Sequence, residues 1–158
     1  MVDVHEIEDR ALERRPTIVG RSIVFVDEIG PWLQHTYERL VVTVPAAGGS
    51  FCGPPFARFT PLGGSGSVEV EAGFPVMAHV AVADDLVPAH LPGGPAAVTW
   101  HTGPYESLET AYRDLSSWLR HRGVRPNGAA WEVYHPPALG DPTGEQVRTE
   151  LVQPYLLD

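Results

Sequence analysis

The 158-residue chain carries 20 acidic and 11 basic side chains, a net charge of −9 at neutral pH, with 43% hydrophobic residues. That is enough apolar material for one domain without covalent staples, and the lone Cys52 excludes an internal disulfide. The basic residues are all arginines scattered from Arg10 to Arg148, so the acidic surface argues against direct binding of DNA or RNA.

Val2 to Ile7 and Thr17 to Val26 carry β-branched residues with partial alternation and predict two antiparallel strands, split by a polar turn around Asp9 to Arg15. Asp27 is a suitable N-cap for a helix, Pro31 fits its first turn, and Ile29, Trp32, Leu33, Thr36, Tyr37, Leu40, Val41 and Val44 share one face. Pro45 and Gly48-Gly49 end it. Phe56 to Leu62 and Ser67 to Val76 then read as strands of a hairpin closed by Gly63-Gly64-Ser65-Gly66. Met77 to Val82 and Pro95 to His101 resume strand character around a loop with Pro88 and Pro92. A second helix opens near Gly103-Pro104, carries Tyr105, Leu108, Tyr112, Leu115 and Leu119 at spacings of three and four, and stops at Gly123. Ala129 to His135 and Gln146 to Pro154 close the chain as strands. The longest uncharged stretch, Val41 to Ala57, is broken by Pro and Gly, and the amino terminus alternates charges where a signal peptide would be apolar; a soluble, cytoplasmic protein is expected, without a membrane partner.

The element order repeats: each half reads βαββ, about 17–76 and about 95–155. Glu71 precedes Pro75 as Glu150 precedes Pro154, and Phe56, Phe59 and Pro61 stand where Trp131, Tyr134 and Pro136 stand. The expected fold is therefore α+β within a single domain over 1–158. It is a duplicated βαββ module with pseudo-twofold symmetry, an antiparallel sheet with two main helices on one side, and a seam between the halves where a ligand would lie.

Within Trp131-Glu132-Val133-Tyr134, period two puts Glu132 and Tyr134 on one face and Trp131 and Val133 on the other. If Trp131 and Val133 pack on the helices, a carboxylate and a phenol project together into the seam; otherwise Glu132 is a solvated residue on an open face. Trp32, Tyr37, Trp100, Tyr105 and Tyr134 border that seam, and rings beside a buried anion favour flat, lipophilic, often cationic guests. His101 reads as a satisfied core or cap-proximal histidine rather than a proton carrier, and Glu69 with Glu71 as a solvated sheet edge. Cys52 has no evident cation nearby to activate it. The seven histidines make no metal-ligand spacing, so neither a metal nor another cofactor is expected, and no serine elbow or phosphate loop is present.

His101-Thr102-Gly103-Pro104-Tyr105-Glu106, Trp118-Leu119, Trp131-Glu132-Val133-Tyr134 and Thr149-Glu150-Leu151-Val152-Gln153-Pro154 resemble the GyrI-like effector-binding domains, from about Thr17 to the carboxyl end. Pro55-Phe56-Ala57-Arg58-Phe59 is a weaker echo in the first half. The family comprises the ligand-binding domains of bacterial AraC- and MerR-type multidrug regulators and free-standing proteins. The resemblance implies a duplicated βαββ fold and a ligand held against a central Glu, here Glu132, with Trp32, Tyr37, Phe59, Trp100, Tyr105 and Tyr134 as aromatic neighbours. It implies binding of planar xenobiotics or antibiotics, for sequestration, sensing or self-resistance. Some free-standing members are cyclopropanoid cyclopropyl hydrolases, which implies an alternative in which Glu132 and Tyr134 are catalytic. Gyrase-inhibitory relatives imply a third role, interaction with a protein. No helix-turn-helix is expected ahead of the domain, so control of transcription by itself is not.

Overall fold

A computed structural model describes residues 5–64, 66–82, 85–103, 107–135 and 148–157. In chain order its elements are β1 (Glu8–Leu12), β2 (Arg15–Phe25), a 3-10 turn (Val26–Glu28), α1 (Ile29–Ala46), β3 (Phe56–Pro61), β4 (Ser67–Pro75) and β5 (Leu86–Leu91). There follow β6 (Gly94–Thr102), α2 (Leu108–Arg122), β7 (Arg125–Pro126), β8 (Trp131–His135) and β9 (Arg148–Leu156). None of the helices described is long and apolar enough to cross a membrane. The chain forms two compact units: a contiguous one, Arg14–Pro92, and a split one built from Met1–Glu13 and Gly93–Asp158.

In the contiguous unit four antiparallel strands run in the order β3, β4, β2, β5. Their core joins Ile18, Phe74, Val76 and Leu86 to Leu40 and Val44 of α1. Gly20 of β2 is what lets the helix approach, because a Cβ there would stand 2.9 Å from Thr36 Cγ2.

The split unit has the same plan, with strand order β1, β6, β9, β8 and the short β7 on the far end of β9. Leu108, Ala111, Leu115 and Leu119 of α2, spaced to share one face, pack on Ala97, Leu151 and Tyr155. Gly123 ends the helix in the left-handed conformation (φ 69°), and Arg120, His121 and Arg122 place positive charge at its carbonyl end.

The two units share register as well as order. Pro75 faces Thr17 as Pro154 faces Ala96, Glu71 lies between Arg21 and Arg58 as Glu150 lies between Trp100 and Val133, and Phe56 faces Gly73 as Trp131 faces Val152. Each βαββ also receives a fourth strand beside its first: β5 on β2, and β1 on β6.

Several predicted boundaries are corrected. The amino-terminal strand is Glu8–Leu12, within what reads as a polar turn; residues 5–7 form no strand, and β1 pairs with β6, not with β2. Met77 to Val82 is not a strand, whereas the Pro88 segment is. Both misread strands are paired on one side only, where charged residues and a proline cost little. Asp27 lies inside the 3-10 turn and does not cap α1; the Glu28 carboxylate instead accepts the Phe25 amide hydrogen at 3.0 Å. Pro45 falls within the last turn of α1 rather than beyond it.

Candidate functional site

Glu132 pairs with Leu151, which lies in the α2 core, so Glu132 and Tyr134 occupy the α2-covered face of the split unit's sheet. Trp131 and Val133 point to the opposite face, the reverse of the assignment on which burial of Glu132 was expected to depend. The carboxylate is nonetheless buried, at 8% exposure, because α2 brings a phenol over it. The Tyr112 hydroxyl donates to Glu132 Oε2, and the Tyr134 hydroxyl donates to Oε1 at 2.7 Å. Burial, reinforced by the charge and acceptor of Glu132, pushes the Tyr112 phenol well above its ordinary range. Both carboxylate oxygens accept, an arrangement suited to the anion.

The electrostatic setting of Glu132 differs from that of buried Glu71 and half-buried Glu150. Glu71, also 8% exposed, takes Arg21 Nε on Oε2 and Arg58 Nη2 on Oε1, each at 2.7 Å. Glu150 takes Arg10 at 2.9 Å and His135 at 3.4 Å. Glu71 is thus not a solvated edge residue: β4 lies between β2 and β3, and the register lines up an arginine from each. Among the described residues, Glu132 has two neutral hydroxyl partners and no cation.

The other predicted site residues fall on both units. Trp100 pairs with Glu150 on the face away from Glu132, its ring beneath the Arg148 guanidinium (4.3 Å) and beside His135 (4.7 Å). Tyr37, on α1, donates its hydroxyl to the Phe56 carbonyl at 2.6 Å and meets Phe74 edge-on. Trp32 is half-buried on α1 near Gly20, and Phe59 pairs with Val70 on β3. Tyr105 lies outside the described residues, as does Pro136.

Tyr112 is the candidate-site residue that the sequence reading assigns only to core packing, since it follows the same helical spacing as Leu108 and Leu115. The signal lay in the repeat. One constant offset carries Thr36, Leu40 and Val44 of α1 onto Ala111, Leu115 and Leu119 of α2, and Phe56 and Phe59 onto Trp131 and Tyr134. The same offset carries Tyr37 onto Tyr112 and Ala57 onto Glu132. Glu132 therefore replaces an alanine, and the helix tyrosine facing it gains a carboxylate as its acceptor.

His101 is buried and bonded on both ring nitrogens, to His5 and to Ser107. Cys52 is exposed, and a cation does lie near it: the Arg15 guanidinium reaches its carbonyl at 3.0 Å and its sulfur at 3.5 Å. Among the described residues no cluster of three His, Cys, Asp or Glu could hold a metal ion.

The α+β chain thus holds, in its split unit, a buried carboxylate between two phenols. The family model described as a GyrI-like small molecule binding domain matches residues 27–155, and the chain belongs to that family. No curated protein matches the sequence. Among solved structures, the EcmrR C-terminal domain is similar at a TM-score of 0.84 and 17% identity, over 99% of this chain and 100% of that one. A hydrolase from Listeria innocua is similar at 0.67 and 10% identity, over 98% and 94%. SAV2435 bound to tetraphenylphosphonium is similar at 0.67 and 14% identity, over 96% and 94%.

Proposed function

We propose that this protein binds lipophilic aromatic cations, with Glu132 as the counter-charge and the rings of Tyr112 and Tyr134 beside it. The observation that carries the reading is a buried carboxylate that, among the described residues, is compensated by two hydroxyls and no cation, whereas Glu71 and Glu150 have guanidinium partners. A cation brought within about 4 Å of such a group gains about 4 kcal/mol at an effective dielectric constant of 20, before desolvation is subtracted. A neutral guest of the same shape gains none of this. SAV2435 with tetraphenylphosphonium offers a fold-level parallel and the probe to use.

The test is titration of wild type and Glu132→Gln with tetraphenylphosphonium and with neutral triphenylphosphine oxide. The variant is expected to lose about 10- to 100-fold in affinity for the cation, about 1.4 to 2.8 kcal/mol, and little for the neutral compound. Equal cation affinities would remove Glu132 from the site.

A second reading uses the same carboxylate as a base and is favoured by the two hydrogen bonds that fix both its oxygens, together with the fold-level likeness to a Listeria innocua hydrolase. Water held by Glu132 adds to the strained cyclopropane of a DNA-alkylating natural product. A C–O bond forms, a ring C–C bond breaks, its electron pair passes into the conjugated carbonyl, and the water proton passes to the carboxylate. Incubation with excess alkylator, followed by mass spectrometry, separates the readings. Turnover beyond one equivalent marks an enzyme, and unchanged alkylator marks a binder.

A further inference from the structure

A second polar constellation in the split unit takes no part in the Glu132 site. Ser107 Oγ lies 2.8 Å from His101 Nε2, His101 Nδ1 lies 3.1 Å from His5 Nε2, and His5 Nδ1 lies 2.7 Å from Asp114 Oδ2. The same carboxylate oxygen accepts the His5 amide hydrogen at 3.2 Å, pinning the segment before β1 to α2. The bond from the His5 ring, helped by that amide, holds the Asp114 carboxyl below its usual range.

The chain has a direction. An ionised Asp114 can only accept, so His5 Nδ1 carries the hydrogen, and whenever the ring is neutral its Nε2 is an acceptor. His101 must then donate from Nδ1, which leaves its Nε2 lone pair facing the Ser107 hydroxyl. That is the tautomer of a general base set against a nucleophile.

We propose that Ser107 is the nucleophile of an acyl-transfer centre for small esters with phenolate leaving groups, with His101 as its general base and His5 and Asp114 as positioning residues. Ser107 Oγ bonds to the ester carbonyl carbon as its proton passes to His101 Nε2. The phenolate then departs with its bonding electrons and takes that proton. Water repeats the sequence on the acyl-serine and releases the acid. Two features serve this step. Ser107 is half-buried, and its side chain does not cap α2 although it is the N-cap residue, so the oxygen sits at the positive end of a 15-residue helix. Thr149, opposite His101 on β9, buries a hydroxyl that has no hydrogen-bond partner, a donor for the carbonyl oxygen of a guest. Reliance on a helix terminus and one hydroxyl limits the centre to activated esters.

The full chain is treated with a fluorophosphonate probe and separately with p-nitrophenyl acetate. The expected result is one phosphonyl adduct, formed with loss of fluoride and mapped to Ser107 by peptide mass spectrometry, and a p-nitrophenol burst of one equivalent. Ser107→Ala, checked for unchanged near-UV circular dichroism, is expected to lose both. Asp114→Asn lets an amide hydrogen meet His5 Nδ1, which reverses both tautomers and takes the lone pair from His101 Nε2. Labelling should slow at least 100-fold with an altered pH–rate profile, since a wrong tautomer can cost such a relay about 10⁴ in rate. Absence of an adduct at Ser107 in wild type, labelling that survives Ser107→Ala, or an Asp114→Asn variant with the wild-type rate and pH profile would each overturn the proposal.

Discussion

Glu71 and Glu132 are buried and Glu150 is half-buried, and their partners set their tasks. Glu71 ties β4 to both its neighbours through Arg21 and Arg58, Glu150 of β9 reaches past β6 to Arg10 of β1, and Glu132 holds two phenols. The consequence is measurable on Tyr112. Its folded pKa is raised above the unfolded value of about 10, so the stabilisation it contributes is complete below that pH and lost as pH climbs toward the folded value. In an alkaline titration followed by phenolate absorbance, one tyrosine should ionise only together with unfolding. In Glu132→Gln that tyrosine should ionise at lower pH than in wild type, because the adjacent negative charge is gone, yet still above about 10, because burial remains. A Tyr112 that ionises near the ordinary tyrosine value of about 10 in wild type would contradict the geometry.

At the scale of elements, close packing fixes where small residues are needed. A Cβ on Gly73 of β4 would stand 2.3 Å from the Ile18 carbonyl oxygen and 2.6 Å from Val19 Cγ1, a clash with backbone that cannot swing away. Gly123, by contrast, meets nothing within 4 Å and needs only its left-handed φ. Gly123→Ala should therefore cost about 1 kcal/mol in urea unfolding, and Gly73→Ala about 3 kcal/mol or more. A milder effect at Gly73 than at Gly123 would mean that β2 and β4 are less tightly opposed than the register requires. What the sequence made legible follows the same division. The helices and the β3–β4 hairpin announce themselves because each buries one periodic face or closes on glycines. β1 and β5 do not, because a strand paired on one side needs no apolar alternation: Glu8-Asp9-Arg10 passes for a turn and Pro88 for a breaker. Glu71 was misread for a further reason, since its partners Arg21 and Arg58 lie on two other strands and meet it only through register. Glu132 stands out by its strand position and by its place in the family motif, while its partner Tyr112 is hidden inside a helical rhythm that core packing also explains.

At the scale of the molecule, the path of the chain is interlaced. β1 leads directly into β2 yet pairs with β6, and β5 leads directly into β6 yet pairs with β2. The residues before β2 therefore stabilise a unit whose remaining strands begin some eighty positions later. Side chains reinforce the ladder: Asp9 accepts the Tyr155 hydroxyl at 2.6 Å, Arg10 pairs with Glu150 at 2.9 Å, and the Glu6 carbonyl accepts Thr99 Oγ1 at 2.7 Å. Each such bond contributes about 1 kcal/mol net, and the loss of β1 also frees the outer edge of β6. Deleting residues 1–13 should thus speed amide hydrogen exchange in β6 and α2 by at least 100-fold, with exchange in β2 and β4 as the internal reference. Charge alone cannot produce this effect, so Arg10→Gln in the full chain should change the same amides by less than 10-fold. If β6 amides keep full protection without residues 1–13, the pairing of β1 with β6 contributes nothing to the stability of the split unit.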